Sequence, residues 1–382
     1  MPFPMISPAE AQLRHMTKLA LLGSGHIGQC IARRLQSSGD YRVTAFDAQP
    51  NALDAVRQLG VEARLISENL AELDSALAGH DIVVNALPFH FAATAARAAR
   101  AAGCHYFDLT EDVAATRAIM DLADGASTAF MPQCGLAPGF IGIAAHHLAK
   151  QLQTVRDVKM RVGALPLFPD NALKYNLTWS IDGLINEYCH PCDAICDGRR
   201  VTVPALEGLE CMSLDGREYE AFNTSGGLGT LCDTWVGKVI NLDYKTIRYP
   251  GHRDLARFLL TDLKLRDDRE TLKSILKNAI PTTKQDMVLV VVLVSGLRNE
   301  VFTQEVLASK IVARRAPDRS ESAIQIATAA GICAAVDLFC EGVLPRSGFI
   351  RQEEIGLDSF LMNRFGKVFA ESNELGALGR FM

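Results

Sequence analysis

A chain of 382 residues, 48% hydrophobic and 22% charged, has enough apolar material for two domains with cores of their own, and its ten cysteines are not needed as staples. A formal charge of −5 gives no electrostatic reason to expect nucleic acid or an anionic membrane as a partner. No run reaches the ~18–20 apolar residues of a membrane-spanning helix, and residues 1–16 hold three prolines without the apolar stretch of an export signal, so a disordered tail on a cytoplasmic protein with reduced thiols is expected.

Residues 18–22 form a short apolar run ending in Gly23-Ser24-Gly25-His26-Ile27-Gly28. Ile27, Ile31 and Leu35 follow at four-residue spacing, and Gly39 supplies a stop signal. Further strands are predicted at residues 42–47, 81–85, 105–108 and 128–131, with helices at 91–102 and 111–124. Strand and helix in alternation imply a parallel, doubly wound Rossmann-type sheet covered on both faces. A helix is predicted from Pro138-Gly139 to about residue 152. From residue 155 to about 316 turns and aromatics increase and strands lengthen, as at 287–295 and 301–313, which predicts an inserted mixed-sheet α+β domain. Residues 322–339 are too apolar for a surface helix and are expected to pack on the first domain. The expected division is a tail over 1–16, a dinucleotide-binding domain over 17–152, an inserted substrate domain over 153–317 and a return to the first domain over 318–382.

The Gly23-x-Gly25-x-x-Gly28 spacing is weak as a bare pattern and gains force from its place between a strand and a helix. Gly23 permits the tight turn, Gly25 lets the backbone approach a pyrophosphate, and Gly28 lets the helix press on the sheet. Ser24, His26 and Ile27 complete the turn, and the helix N-terminus offers free amides to phosphate. Asp47 closes the next strand, where a carboxylate accepts hydrogen bonds from a ribose 2′-OH and repels a 2′-phosphate. Ala48 and Gln49 provide no arginine for that phosphate, so NAD is expected over NADP. Ala86, Leu87 and Pro88, after a later strand, are the expected contacts of the nicotinamide half.

Several further segments carry a resemblance. They are Tyr106-Phe107-Asp108-Leu109-Thr110-Glu111-Asp112, Cys134-Gly135-Leu136-Ala137-Pro138-Gly139, Lys174-Tyr175-Asn176-Leu177-Thr178-Trp179-Ser180, Gly183-Leu184-Ile185-Asn186-Glu187-Tyr188, Phe222-Asn223-Thr224-Ser225-Gly226-Gly227 and Thr246-Ile247-Arg248-Tyr249-Pro250-Gly251-His252. In order and spacing the chain resembles the saccharopine dehydrogenase family, most closely its lysine 6-dehydrogenase branch. The resemblance implies a Rossmann domain interrupted by a substrate domain, an active site between them, and a homo-oligomer, dimer or larger. It also implies oxidation or formation of a C–N bond in a small amine or amino acid. Saccharopine reductases carry a Ser-Pro-Arg-Gly run whose arginine helps hold substrate carboxylate. Here the run is Ser180-Ile181-Asp182-Gly183. This favours NAD-dependent oxidative deamination of the terminal amine of lysine or a close relative. The alternatives are a saccharopine- or carboxynorspermidine-type enzyme and an NAD(H)-binding regulatory protein without catalysis.

Hydride can leave a carbon bearing nitrogen only if that amine is neutral, and a free alkyl ammonium has a pKa of about 10.4. The site must therefore remove its proton by burial or with a base. Asp108 and Glu111 bracket a strand end where ligands bind in such sheets. Asp108 reads as orienter or base and Glu111 as amine anchor, or equally as an acidic helix start. Lys174, Tyr175 and Trp179 could line the pocket, with aromatic faces for a cation. Thr224 and Ser225 could hold a substrate α-carboxylate or form a plain loop. Arg248 and His252 flank a Pro-Gly turn, with His252 as a possible proton relay or a satisfied structural histidine. Cys189-His190-Pro191-Cys192 with Cys196 has metal-like spacing but no second cluster, so no metal is expected.

Overall fold

The computed structural model describes residues 16–316 and 319–371. The tail expected over residues 1–16 lies, apart from Met16, outside the described residues.

Strands β1 (Thr17–Leu22), β2 (Tyr41–Asp47), β3 (Glu62–Leu65), β4 (Ile82–Asn85), β5 (His105–Asp108) and β6 (Ala129–Met131) belong to one sheet. Its order is β3-β2-β1-β4-β5-β6, every neighbouring pair parallel. Helices α1 (His26–Ser38), α2 (Pro50–Arg57), α3 (Leu73–Ala76), α4 (Ala92–Ala101) and α5 (Val113–Ala123) make the crossovers. The chain order reverses between β1 and β4, and the crevice at their carboxyl ends is where an open sheet of this kind binds ligands. The expected alternation omits β3. This edge strand, Glu-Ala-Arg-Leu, is mostly exposed and carries no apolar signature.

Helix α6 (Phe140–Lys150) leads into β7 (Thr154–Pro166), the start of a second sheet. Helix α7 (Ile181–Cys189) precedes β8 (Cys192–Cys196), β9 (Arg199–Val203), β10 (Glu210–Leu214) and β11 (Arg217–Asn223). Then come α8 (Leu231–Trp235), β12 (Val239–Arg248), α9 (His252–Arg257), α10 (Arg269–Ala279), β13 (Asp286–Arg298) and β14 (Val301–Val312). The main path is β10-β11-β12-β7-β13-β14, with β8 and β9 branching from β12. Only the β12–β7 pairing is parallel, so the sheet is mixed. β13 is apolar nearly throughout because both of its faces are covered, one of them by α6 and the helix that follows.

Past the short strands β15 (Arg314–Ala316) and β16 (Arg319–Glu321), α11 (Ala323–Cys340) crosses back. Against the expectation that no run would be long and apolar enough to span a membrane, α11 is so by length and composition, yet most of it is buried in the core against α1 and β13. Ser322 and Gln325 form a capping box at its start, and the buried Asp286 carboxylate accepts from the amides of Ala323 (2.6 Å) and Ile324 (3.1 Å). The two-residue β17 (Gly348–Phe349) extends the first sheet beside β6. Helices α12 (Leu357–Met362) and α13 (Lys367–Glu371) close the described chain. Asp337 on α11 locks this return, accepting from Tyr41 Oη at 2.7 Å, Asn363 Nδ2 at 2.8 Å and Arg364 Nη2 at 2.6 Å.

Candidate functional site

The turn after β1 is built for close backbone approach. Gly23 has φ +92°, and a Cβ there would sit 2.8 Å from the Ala86 carbonyl oxygen. A Cβ on Gly28 would run into the carbonyl of Gly23. Gly25 is the opposite case: it is exposed, and nothing lies within 4 Å of where its Cβ would be. α1 starts at Gly25 with no side-chain cap, so its first amides are unclaimed by side chains. Ser24 is fully buried and its hydroxyl has no partner among the described residues. An open cradle, free helix amides and an orphaned hydroxyl fit a dinucleotide pyrophosphate. His26 is exposed and Ile27 half-buried at the same helix start.

Asp47 ends β2 beside this turn. Its carboxylate accepts from Ser24 N at 2.6 Å and Gln49 N at 2.8 Å, which fixes it against the glycine turn. Across the switch point, Ala86 N donates to Leu22 O at 2.7 Å and Leu87 N to Asn85 Oδ1 at 3.1 Å. Ala86 and Leu87 are half-buried and Pro88 is exposed. The ten residues expected around the dinucleotide thus share one edge.

The two acids near the end of β5 have different surroundings. Asp108 is 1% exposed and accepts from Tyr106 Oη (2.9 Å), Thr110 N (3.0 Å) and Gln133 N (2.9 Å). Burial pushes its pKa up to about 6 against those donors. The contacts tie β5 to the loop after β6, an orienting role, and leave little of the carboxylate for a substrate. Helix α5 is capped by Asp112, which accepts from Ala115 N at 2.7 Å. Glu111 therefore precedes the helix and is not its acidic start. Burial, then the nearby Asp112 and Asp108, pushes its pKa up to about 7, and no side-chain donor among the described residues engages it.

Glu111 sits on the seam between the domains. A Cβ on Gly183, in α7, would lie 3.2 Å from Glu111 Oε1 and would strike the Trp179 ring. A Cβ on Gly226 would collide with the Glu111 carbonyl. The glycines let α7 and the Thr224–Gly227 turn close down on the β5 end. Asn186 Nδ2 on α7 also reaches Asp112 Oδ2 at 3.4 Å. Ser225 N donates to the Glu187 carbonyl at 3.1 Å, pinning that turn to α7, and Thr224 is buried with a hydroxyl that has no partner among the described residues. Trp179 is half-buried and its Nε1 donates to Tyr175 Oη at 3.2 Å.

Glu187, not singled out from the sequence, is the unanticipated member of the site. It lies one helical turn beyond Gly183, on the same face of α7. Burial, opposed by Arg248 and reinforced by Glu111, pushes its pKa up to about 8. The only signal for it in the sequence was a lone carboxylate in the apolar run from Gly183 to Tyr188.

Two expected residues stand elsewhere. Lys174 is exposed and its Nζ donates to the Pro250 carbonyl at 2.9 Å, on the outside of the inserted domain. His252 is buried in a closed chain: Nδ1–H donates to Leu173 O at 2.8 Å, and Nε2 accepts from Tyr188 Oη at 3.0 Å. Burial and the Arg248 charge push its pKa down to about 3. It is neutral at physiological pH, and its surroundings do not support the proton-relay role. Cys134 is buried with its thiol pKa well above the usual value. Cys189, Cys192, Cys196 and Cys232 are free thiols, and no three potential ligands group around a metal position among the described residues.

Residues 19–130 match the saccharopine dehydrogenase NADP binding domain, and residues 135–369 the saccharopine dehydrogenase C-terminal domain. A saccharopine dehydrogenase (NADP(+), L-glutamate-forming) from Pyricularia oryzae is 24% identical over 282 residues, covering 68% of this chain and 60% of that protein. The mitochondrial alpha-aminoadipic semialdehyde synthase of Mus musculus is 22% identical over 195 residues, covering 49% and 21%. The chain therefore spans less than two thirds of either relative. The solved apo saccharopine dehydrogenase (L-Glu forming) from Saccharomyces cerevisiae shares the fold, with a TM-score of 0.75 at 17% identity over 92% of this chain and 98% of that one. Together the matched segments run through nearly all of the described residues, and the chain belongs to the saccharopine dehydrogenase family.

Proposed function

We propose that this chain is a nicotinamide-dinucleotide-dependent oxidoreductase acting on the C–N bond of an amino-acid-derived amine. The observation that carries this reading is the place of Glu111: a carboxylate held at the seam, free of side-chain donors among the described residues, beside the edge that fits a dinucleotide. When bound, the dinucleotide supplies the hydride acceptor. Glu111 takes the proton from the substrate ammonium, so the nitrogen lone pair can form a C=N bond as hydride leaves the carbon. Its raised pKa suits that transfer at neutral pH. Water then adds to the imine carbon and the C–N bond breaks, giving a carbonyl product and a free amine. Trp179 and the Thr224–Gly227 turn restrict water around the reacting atoms. Asp108 acts through the backbone, holding the loops after β5 and β6 together.

A secondary amine joining two amino-acid skeletons is the first substrate reading, supported by the names of the matched domains and of the Pyricularia relative. The primary amine of lysine is the second, supported by the absence of an arginine from residues 180–183. For the cofactor we favour NAD over NADP. The Asp47 carboxylate, fixed by two amides, repels a 2′-phosphate, although the matched domain is named for NADP.

The test mixes pure protein with NAD or NADP and saccharopine, lysine or a simple diamine, and follows reduced nicotinamide by absorbance. Turnover of saccharopine or lysine is expected, faster with NAD. Asp47→Arg should cost NAD about tenfold in kcat/KM and narrow the gap to NADP. Dinucleotide binding with no turnover of any amine would sink the enzyme reading and leave a regulatory binding protein.

A further inference from the structure

One buried phenol in the Rossmann half takes no part in the chemistry and yet holds three polar groups together. Tyr106 on β5 is 0% exposed, among the apolar residues under α4. Burial, reinforced by the Asp108 carboxyl, holds its pKa well above the usual phenol value, so the hydroxyl always has one proton to give. Asn85 Nδ2 donates to it at 3.0 Å, and it reaches two acceptors, Asp108 Oδ2 at 2.9 Å and the Ala92 carbonyl at 3.1 Å. The sense of the first bond is fixed, because Asn85 Oδ1 already accepts from Leu87 N at 3.1 Å. One proton serves two acceptors, and at neutral pH the ionised carboxylate has the stronger claim on it. A phenylalanine would fill the same apolar space, so packing alone gives no reason for the oxygen.

The three groups bracket one segment. Asn85 ends β4 and Ala92 opens α4. Between them run Ala86, Leu87 and Pro88, the edge expected to carry the nicotinamide half, and the short turn Phe89–Phe91. Asp108 is the register partner of Asn85 across β4 and β5, and Tyr106, two residues earlier, shares its face of the strand. α4 presents small alanines to that face, which lets its first carbonyl come within reach of the hydroxyl. Without the phenol oxygen the segment keeps Ala86 N on Leu22 O and loses its side-chain tie to β5. The adenosine half lies farther off: the order β2-β1-β4-β5 sets Asp47 three strand spacings from Tyr106, on the order of 14 Å.

We propose that Tyr106 is a positioning residue for the nicotinamide half of the dinucleotide, its hydroxyl fixing the Asn85–Ala92 segment to β5. This rests on the dinucleotide reading of the site given above. Fully buried, the hydroxyl touches neither cofactor nor substrate. It acts through Asn85 on Leu87 N, and through Asp108 on the loops after β5 and β6. The nicotinamide ring and the Glu111 seam are thereby held in one register. Loss of the oxygen loosens the ring's end of the cofactor and leaves the adenosine end, three strands away, as it was.

Calorimetric titration of the full chain with NADH and with ADP-ribose, which lacks the nicotinamide ring, reads the two ends separately. Wild type should bind NADH about tenfold more tightly, from the contacts of the ring. In Tyr106→Phe that ratio should fall to about two, with ADP-ribose affinity within about twofold of wild type. Should Tyr106→Phe fail to fold, Asn85→Ala decides: it removes the same tie from the other side, and the ratio should fall about threefold or more. Equal binding of the two ligands by wild type, or a ratio that survives the substitutions, overturns the proposal. So does a parallel loss of both affinities in the variants, which is what a merely structural role would give. Amine turnover by wild type with an unchanged ratio in the variants removes only the Tyr106 assignment. The expected ratios without turnover of any amine keep that assignment and remove the catalytic reading.

Discussion

The two walls of the crevice are made of different materials. Along the dinucleotide edge of the Rossmann side the contacts are backbone: three glycines, free helix amides and one carboxylate fixed by two amides. On the inserted side they are charged and hydroxylic side chains held out of water, with Glu187, Arg248 and Thr224 all buried. A backbone wall is indifferent to pH and intolerant of added atoms. A side-chain wall tolerates shape changes better and responds to charge. The largest effect should therefore come from adding atoms to the first wall. In Gly28→Val the new Cβ meets the Gly23 carbonyl, and neither backbone can yield without opening the turn. We expect loss of dinucleotide binding and a stability cost of about 2–3 kcal/mol, read by titration and thermal unfolding. Retained affinity would mean that this turn is not the pyrophosphate cradle.

Next in size is the removal of the proton acceptor that the Rossmann side brings to the seam, where the inserted wall closes on it. Glu111→Gln keeps shape and hydrogen bonding but cannot take a proton, and kcat should fall about 10²–10⁴-fold with dinucleotide affinity intact. Asp108→Asn works differently. Its amide oxygen can still accept from Thr110 N and Gln133 N, which share Oδ1, but its NH2 then takes the place of the oxygen that accepts from Tyr106 Oη, and that buried hydroxyl loses its carboxylate acceptor. Its cost should appear in thermal stability as well as in rate. Equal kinetic profiles for the two variants would erase the distinction drawn between the acids.

The carboxyls that meet across the seam should also show in the pH dependence of stability. Glu111 and Glu187 are protonated in the folded protein up to about pH 7 and 8, but ionise near 4.5 once unfolded. The folded state therefore holds more protons across that window, and stability falls as pH rises through it. His146 and His252, pushed down to about 4 and 3 by burial, work in the opposite direction below the ordinary histidine value of 6.5. Between pH 6.5 and 8 the carboxylates act alone, and about 2 kcal/mol should be lost. Glu187→Gln should remove most of that slope in apo-protein unfolding curves. A slope unchanged in the variant would place the titrating groups elsewhere.

The same contrast explains what could be read in the amino-acid sequence. Backbone devices leave local marks: Gly23, Gly25, Gly28 and Asp47 stand at fixed offsets along one strand–turn–helix–strand unit. The inserted wall is assembled from α7, β11 and β12, whose order in space no local pattern encodes. Glu187 was missed for this reason, being ordinary in its own helix and unusual only beside Glu111 and Arg248. His252 misled for the converse reason: a histidine by a Pro-Gly turn looks accessible, and only the packing of Tyr188 and Leu173 around it shows a closed hydrogen-bond chain. Edge elements such as β3 and β17 were silent because exposed or two-residue strands carry no apolar period.

The smallest effect marks the outer boundary of the side-chain wall. Lys174 lies five residues before Trp179, but its ammonium is engaged by the Pro250 carbonyl in solvent, where such a contact is worth little. Lys174→Met should change kcat/KM by less than about twofold and stability by no more than about 0.5 kcal/mol. A tenfold loss of kcat/KM would require substrate to reach past Trp179 to the domain exterior. A substrate group bound out there by Lys174 would lie outside the seam at Glu111, so this near-silent substitution tests from outside how deep the substrate is held.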